Sequence, residues 1–191
     1  NIYSLQIINS NDSIQRIDQQ TFDIVYLSPP RGEIYDSNNI NLATSSLEPH
    51  LFINLRKINE ENLNQYKQYI KYNFQEITNN ELDSIFSSKE ILYLLRNISN
   101  LDYKERQALI ELDAFEIFDY PIREYNYKNI ASHVIGYIGR PTQEEFNLYP
   151  KTIKNGIVGK SGIEKYYEEK ISGTAGEIIF KGNEIVSYEP P

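Results

Sequence analysis

The chain has 191 residues, 27 acidic against 19 basic, a formal net charge of -8, and neither cysteine nor methionine. That length supports one large or two small cores without staples, and the lack of cysteine removes disulfides, thiolate zinc sites and a cysteine nucleophile. The charge repels phosphate backbones and no basic patch relieves it, which excludes nucleic acid as a partner.

In chain order, IYSLQIINSNDSIQRIDQQ carries Ile2, Leu5, Ile8, Ile14 and Ile17 at near-helical spacing and predicts a helix over Ile2 to Gln20. FDIVYL, Phe22 to Leu27, predicts a strand that Pro29-Pro30 must end, because proline offers no ladder donor. GEIY and INLAT flank the turn letters DSNN and predict a hairpin, with Asn39 taking the left-handed backbone such a turn requires. HLFINL reads as a further strand. In INEENLNQYKQYIKYNF, residues Leu63, Tyr66, Ile70 and Phe74 mark one face of a helix. NNELDSIF predicts a short helix with Asn80 as its N-cap, and EILYLLRNIS fits either a buried strand or a helix. Asp102 is expected to cap DYKERQALIEL, with Tyr103, Ala108 and Leu112 near one side. FEIFDYPIREYNY reads as strand, NIASHVIGYIG as a short helix closed by Gly139, and TQEEFNLY as one or two helical turns. SGIEKYYEEKISG predicts a helix ended by Gly173, and GEIIF with NEIVSYE a hairpin turning at Lys181-Gly182. Strands and helices mix without βαβ alternation, so the fold class is α+β.

The chemical motifs are sparse. NGIVGKSG, Asn155 to Gly162, invites a phosphate-loop reading, but Gly156 and Gly159 have only two residues between them where a phosphate loop needs four. The alternative reading makes Ser161 an N-cap, with Glu164 completing a capping box. His50 and His133 are the only histidines, and neither has a second ligand three or four residues away. The pairs Glu144-Glu145 and Glu168-Glu169 read as solvated helix faces. No G-x-S-x-G and no serine with lysine three residues on is present.

Three separated stretches line up with one family. SPPRGEIYDSNNINLA resembles the R-G-x-I-x-D-R-N-G-x-x-L-A signature of class B penicillin-binding proteins. PIREYNYKNIASHVIGYIG resembles their R-x-Y-P-x-G-x-x-A-x-H-x-I-G-Y, and GIVGKSGIEKYYEEKISGTAGE their G-x-x-G-x-E-x-x-Y-E-x-x-L-x-G-x-x-G. Order and separation agree as well. YSLQI resembles the sequence that follows the family's membrane anchor, and SYEPP the linker before its transpeptidase domain. Ser37-Asn38-Asn39 stands where Arg-Asn-Gly is usual, and Asn126 replaces a proline. Ser37-Asn38-Asn39 also fits the family's catalytic S-x-N, yet it lies within a turn and has no partner motifs.

The resemblance implies a mixed pedestal fold with small twisted antiparallel sheets and a mostly helical head lobe. Residues 1–53 and 114–191 would form the base lobe, and 54–113 the head. It implies a non-catalytic pedestal, or dimerisation domain, without cofactor, belonging to a membrane-anchored peptidoglycan D,D-transpeptidase of the elongation type, penicillin-binding protein 2. The alternatives are a septal-type pedestal, a borrowed binding module, and a nucleotide-binding enzyme using Gly159-Lys160-Ser161. Implied partners are a SEDS-family glycosyltransferase of RodA type, an MreC-type scaffold, the parent's own transpeptidase domain and a second copy. The implied place is the extracytoplasmic face of the bacterial membrane, reached through an anchor upstream of Asn1.

The matched positions are Arg31, Gly32, Asp36, Arg123, Tyr125, His133, Gly136, Gly159, Gly162, Glu164, Tyr167, Glu168, Gly173 and Gly176. Arg31 and Arg123 each present a planar fork suited to a carboxylate, with Glu164 or Asp36 as the anion, and are expected to tie the three segments together. Ile70, Phe74, Ile85, Phe86, Leu94 and Leu95 are candidates for a partner groove, against the alternative that they form the head's own core.

Overall fold

The structure, a computed structural model, describes residues 22–127, 132–142, 144–145 and 156–191. The helix expected over residues 2–20 lies outside the described residues, as does most of TQEEFNLY. The described chain divides into two units. Unit 1 takes residues 22–23, Pro49–Phe118 and Lys181–Glu184; unit 2 takes Ile24–Glu48, the described part of Asp119–Phe180, and Ile185–Pro191.

The expected strands form where β-branched and aromatic runs are bounded by turn residues. β1 spans Phe22–Leu27 and stops before the two prolines. β2 (Ile34–Tyr35) and the start of β3 (Asn41–Asn54) form the predicted hairpin, pairing Ile34 with Ala43 and Tyr35 with Asn41. Asn39 sits at φ 63° as its turn demands. INLAT and HLFINL, read as separate strands, are one continuous 14-residue strand that passes through Pro49.

Within unit 1, the second half of β3 pairs antiparallel with β4 (Leu92–Asn97), His50 opposite Asn97 and Asn54 opposite Leu92, which settles EILYLLRNIS as strand. β5 (Phe115–Tyr125) also pairs with β3. α1 (Leu63–Asn73) buries Tyr66 and Ile70 on the predicted face. α2 (Asn79–Phe86) is capped by Thr78 and not by Asn80: the Thr78 side chain accepts from the Glu81 amide, and Glu81 reaches back to the Thr78 amide. Asp102 caps α3 (Tyr103–Ile110) as predicted, and Glu105 completes a second capping box. The predicted face of α3 is wrong, since Tyr103 and Ala108 are exposed and Leu109 is the buried residue.

These elements enclose one apolar cluster containing Leu51, Ile53, Tyr66, Ile70, Phe74, Leu82, Ile85, Ile98, Leu109, Ala114 and Phe115. Tyr66 packs edge-on against Phe115 with centroids 5.5 Å apart, and its hydroxyl accepts from the Ala114 amide at 3.0 Å. Each fully buried aliphatic or aromatic side chain here contributes about 1.5–3 kcal/mol.

In unit 2, α4 (Ser132–Ile135) ends at Gly136, φ 83°, and not at Gly139, which belongs to β6 (Ile138–Gly139). β6 pairs with β7 (Val158–Gly159). The predicted helix from Ser161 breaks at Tyr167 into α5 (Gly162–Tyr166) and α6 (Glu168–Ile171), and Gly173 follows at φ 70°. β8 (Gly176–Lys181) and β9 (Glu184–Glu189) form the closing hairpin, in a sheet ordered β1-β8-β9. Small antiparallel sheets with short helices make the fold α+β, as expected.

Candidate functional site

Arg31 follows two prolines, which present it in extended chain just before β2. Glu164 and Glu168 are four residues apart, so the short helices α5 and α6 turn both toward the same side. The guanidinium of Arg31 fills the gap between them. Its Nε donates to Glu164 Oε2 at 3.0 Å, its Nη2 to Glu168 Oε2 at 2.7 Å, and its Nη1 to Glu168 Oε1 at 3.4 Å. Nη2 also donates to the Glu164 carbonyl at 3.3 Å.

Arg123, on β5, closes the other side. Its Nε donates to Glu164 Oε1 at 2.8 Å, and its Nη1 to Gly32 O at 3.0 Å and Ser45 Oγ at 3.1 Å. Arg123 Nη2 lies 2.7 Å from Glu164 Oε1, close enough for an ion pair but without hydrogen-bond alignment. The Tyr125 hydroxyl donates to that same oxygen at 3.2 Å. All four charged side chains are at most 3% exposed, and two guanidiniums balance two carboxylates. Buried charges persist only when paired and hydrogen-bonded, a condition this arrangement meets. Burial first, and then the Glu164 charge, push the Tyr125 hydroxyl up to about 12.

The network joins the segments that carry the three sequence motifs. Gly32 donates its amide to Ile171 O at 2.8 Å, tying the first segment to α6. The Gly159 amide donates to Glu168 Oε2 at 2.8 Å, and the Lys160 amide to Tyr137 O at 2.8 Å. The Lys160 side chain pairs with Glu145, whose carboxyl is held below its ordinary range against the opposing effect of burial. Both of those amides and the lysine are therefore engaged within the chain, where a phosphate loop would keep them for a ligand. Gly136 and Gly162 permit the close approach of α4 to α5: a Cβ on Gly136 would lie 1.9 Å from Ser161 O, and one on Gly162 2.3 Å from Val134 O. Gly176 opens β8 beside Glu189 and Pro191.

Several expectations need correction. Asp36 is not an anion for Arg31; its Oδ1 accepts from the Asn38 and Ile40 amides at 2.8 Å each and shapes its own turn. Ser161 makes no side-chain cap bond, and the carboxylate of its expected capping-box partner Glu164 is turned inward to the arginines. Of the pair Glu168-Glu169, only Glu169 is exposed, and Glu145 is largely covered beside Lys160. His133 is exposed on α4, and Tyr167 lies at the break between α5 and α6. Ile70, Phe74 and Ile85 are buried in the unit 1 core, with Phe86 and Leu95 packed against it, so these side chains cover one another. Leu94 is half-buried on β4 opposite Phe52. Ser45, which accepts from both the Arg31 amide and Arg123, was missed; only its place two residues from the inward Ala43 on β3 hinted at it.

Among the described residues, no group of three or more histidine, cysteine, aspartate or glutamate side chains is placed to hold a metal ion. No helix among them is long and apolar enough to cross a membrane.

A chain whose three motif segments converge on one buried ionic knot invites comparison with known folds. Residues 26–185 match the model of the penicillin-binding protein dimerisation domain, and the chain belongs to that family. Over 189 residues it is 27% identical to the peptidoglycan D,D-transpeptidase MrdA of Haemophilus influenzae, a match covering 92% of this chain and 29% of that protein. The MrdA of Escherichia coli K12 is 26% identical, with the same coverage of both chains. Stage V sporulation protein D of Bacillus subtilis is 28% identical over 85% of this chain and 24% of its own length. The fold is similar to that of PBP2 in a solved complex with MreC from Helicobacter pylori, with TM-score 0.67 and 23% identity over 91% of this chain and 35% of that one. The chain thus spans 24% to 35% of the length of these relatives. The resemblance to the penicillin-binding proteins holds, over residues 26–185.

Proposed function

We propose that this domain is the non-catalytic pedestal of a peptidoglycan D,D-transpeptidase acting in cell elongation. The parent protein is held at the membrane, and this domain faces the extracytoplasmic side. The observation that carries this reading is the neutral knot of Arg31, Arg123, Glu164 and Glu168, which spends four buried charges on joining segments and leaves none facing a substrate. Such a construction serves positioning: it fixes the attitude of the strands it joins without performing a reaction. The catalytic serine belongs to the parent's transpeptidase domain, which the pedestal orients. An MreC-type scaffold is the regulatory partner, and a RodA-type glycosyltransferase works beside the anchor.

The test uses the full-length enzyme carrying Glu168→Gln, which removes one charge and keeps the shape. Peptidoglycan cross-linking should fall while acylation by a fluorescent penicillin stays at the parent level. Equal loss of both, or of neither, in a variant that still folds would reject the positioning role. Titration of the purified protein with the extracytoplasmic part of its own MreC-type partner tests the scaffold separately, and no binding at micromolar concentrations would remove that partner.

A further inference from the structure

The turn between β8 and β9, Lys181-Gly182-Asn183-Glu184, contains no apolar side chain, and all four residues are exposed. A Cβ built on Gly182 would meet nothing within 4 Å. The contacts that hold this turn are polar. Asn54 Nδ2 donates to Asn183 O at 2.9 Å, and Arg56 Nη1 donates to Gly182 O at 3.0 Å. Lys57 Nζ lies 3.9 Å from Glu184 Oε2.

Both donors are themselves fixed. Asn54 is fully buried; its amide donates to Ala114 O at 2.8 Å, and its Oδ1 accepts from the Arg56 amide at 3.2 Å. Arg56 Nη2 is 2.6 Å from Asp23 Oδ2 at the start of β1. A few residues earlier in the hairpin, Ile178 and Phe180 of β8 are fully buried. The hairpin is therefore fastened in two different ways. Its body is held by apolar burial, which water opposes losing; its tip is held by hydrogen bonds to two successive carbonyls, which water can replace.

We propose that residues 181–184 are a releasable strap, with Asn54 and Arg56 as its clasp. The tip opens and recloses locally while β8 stays seated, in the manner of a low-stability segment bordering a high-stability one. Closed, the clasp fixes the point from which β9 starts; open, it leaves that point free. The proposal rests on these contacts and not on the family to which the chain belongs.

Hydrogen exchange on the full-length protein, followed by mass spectrometry, separates peptides covering residues 181–184 from those covering 178–180. In the parent protein the tip should exchange at least roughly 10-fold faster than β8. Asn54→Ala should quicken the tip by a further 5- to 10-fold or so, about what one net hydrogen bond is worth, and leave β8 unchanged. Arg56→Gln should act at the same place by less, and it decides the matter alone if Asn54→Ala does not fold. Equal exchange of tip and β8 in the parent, a joint acceleration of both in the variant, or an unchanged tip would overturn the strap.

Discussion

Unit 1 hides an apolar cluster that includes Ile70, Phe74 and Phe115, whereas unit 2, besides burying Ile178 and Phe180 and a small cluster of Ile34, Ala43 and Ile135, gives comparably deep positions to Arg31, Glu164 and Glu168. The difference lies in how each interior bears damage. An apolar core loses stability in proportion to the volume removed and then partly relaxes. A balanced ionic core behaves as a set, because deleting one member strands the others in a place where they cannot be solvated.

The largest loss is expected from Glu164→Ala, which leaves Arg31 without one of its two carboxylates and Arg123 without the carboxylate it pairs with among the described residues. A loss of about 3–5 kcal/mol in urea denaturation is expected, and a loss below about 1 kcal/mol would mean that the network is solvated. Ile70→Ala in unit 1 should cost about 3 kcal/mol by the same measurement, from lost burial plus the cavity left behind. Asp102→Ala removes a capping-box partner of α3 and should cost about 1 kcal/mol; Ser161→Ala, at a helix start with no cap bond, should change stability by less than about 0.5 kcal/mol. If those two values were reversed, Ser161 would be a working cap and Asp102 would not.

The smallest effect is spectroscopic. Unfolded chains ionise tyrosine near pH 10, while the folded state holds the Tyr125 proton up to about 12, so the stability it contributes is whole below pH 10 and is lost as pH rises through that interval. Ultraviolet titration of Tyr125→Phe should lack one late-ionising phenol relative to the parent. An unchanged late phase would place that proton elsewhere.

Elements whose signal is local were legible in the sequence. FDIVYL, the Asp102 cap and the turn at Asn39 follow from residue type and spacing alone, and the structure shows each. Arg31 and Arg123 could be picked out as forks seeking a carboxylate, with Glu164 as one candidate. What could not be read is competition between two local preferences. Ser161 and Glu164 have the spacing of a capping box, but an arginine 133 positions away from Glu164 in sequence wins its carboxylate. Glu168 and Glu169 look alike as letters, and only the packing decides that one meets Arg31 and the other meets water. Asn80 lost the cap of α2 to Thr78 because the preceding threonine has Glu81 at the reciprocal offset.

The break at Tyr167 carries its own consequence. It leaves helical pieces of five and four residues, each well short of the ~12–15 residues at which an isolated helix begins to persist in water. Excised as a peptide, residues 162–171 would be a coil. In the folded chain their helical form rests on contacts with segments distant in sequence, the guanidiniums of Arg31 and Arg123 among them.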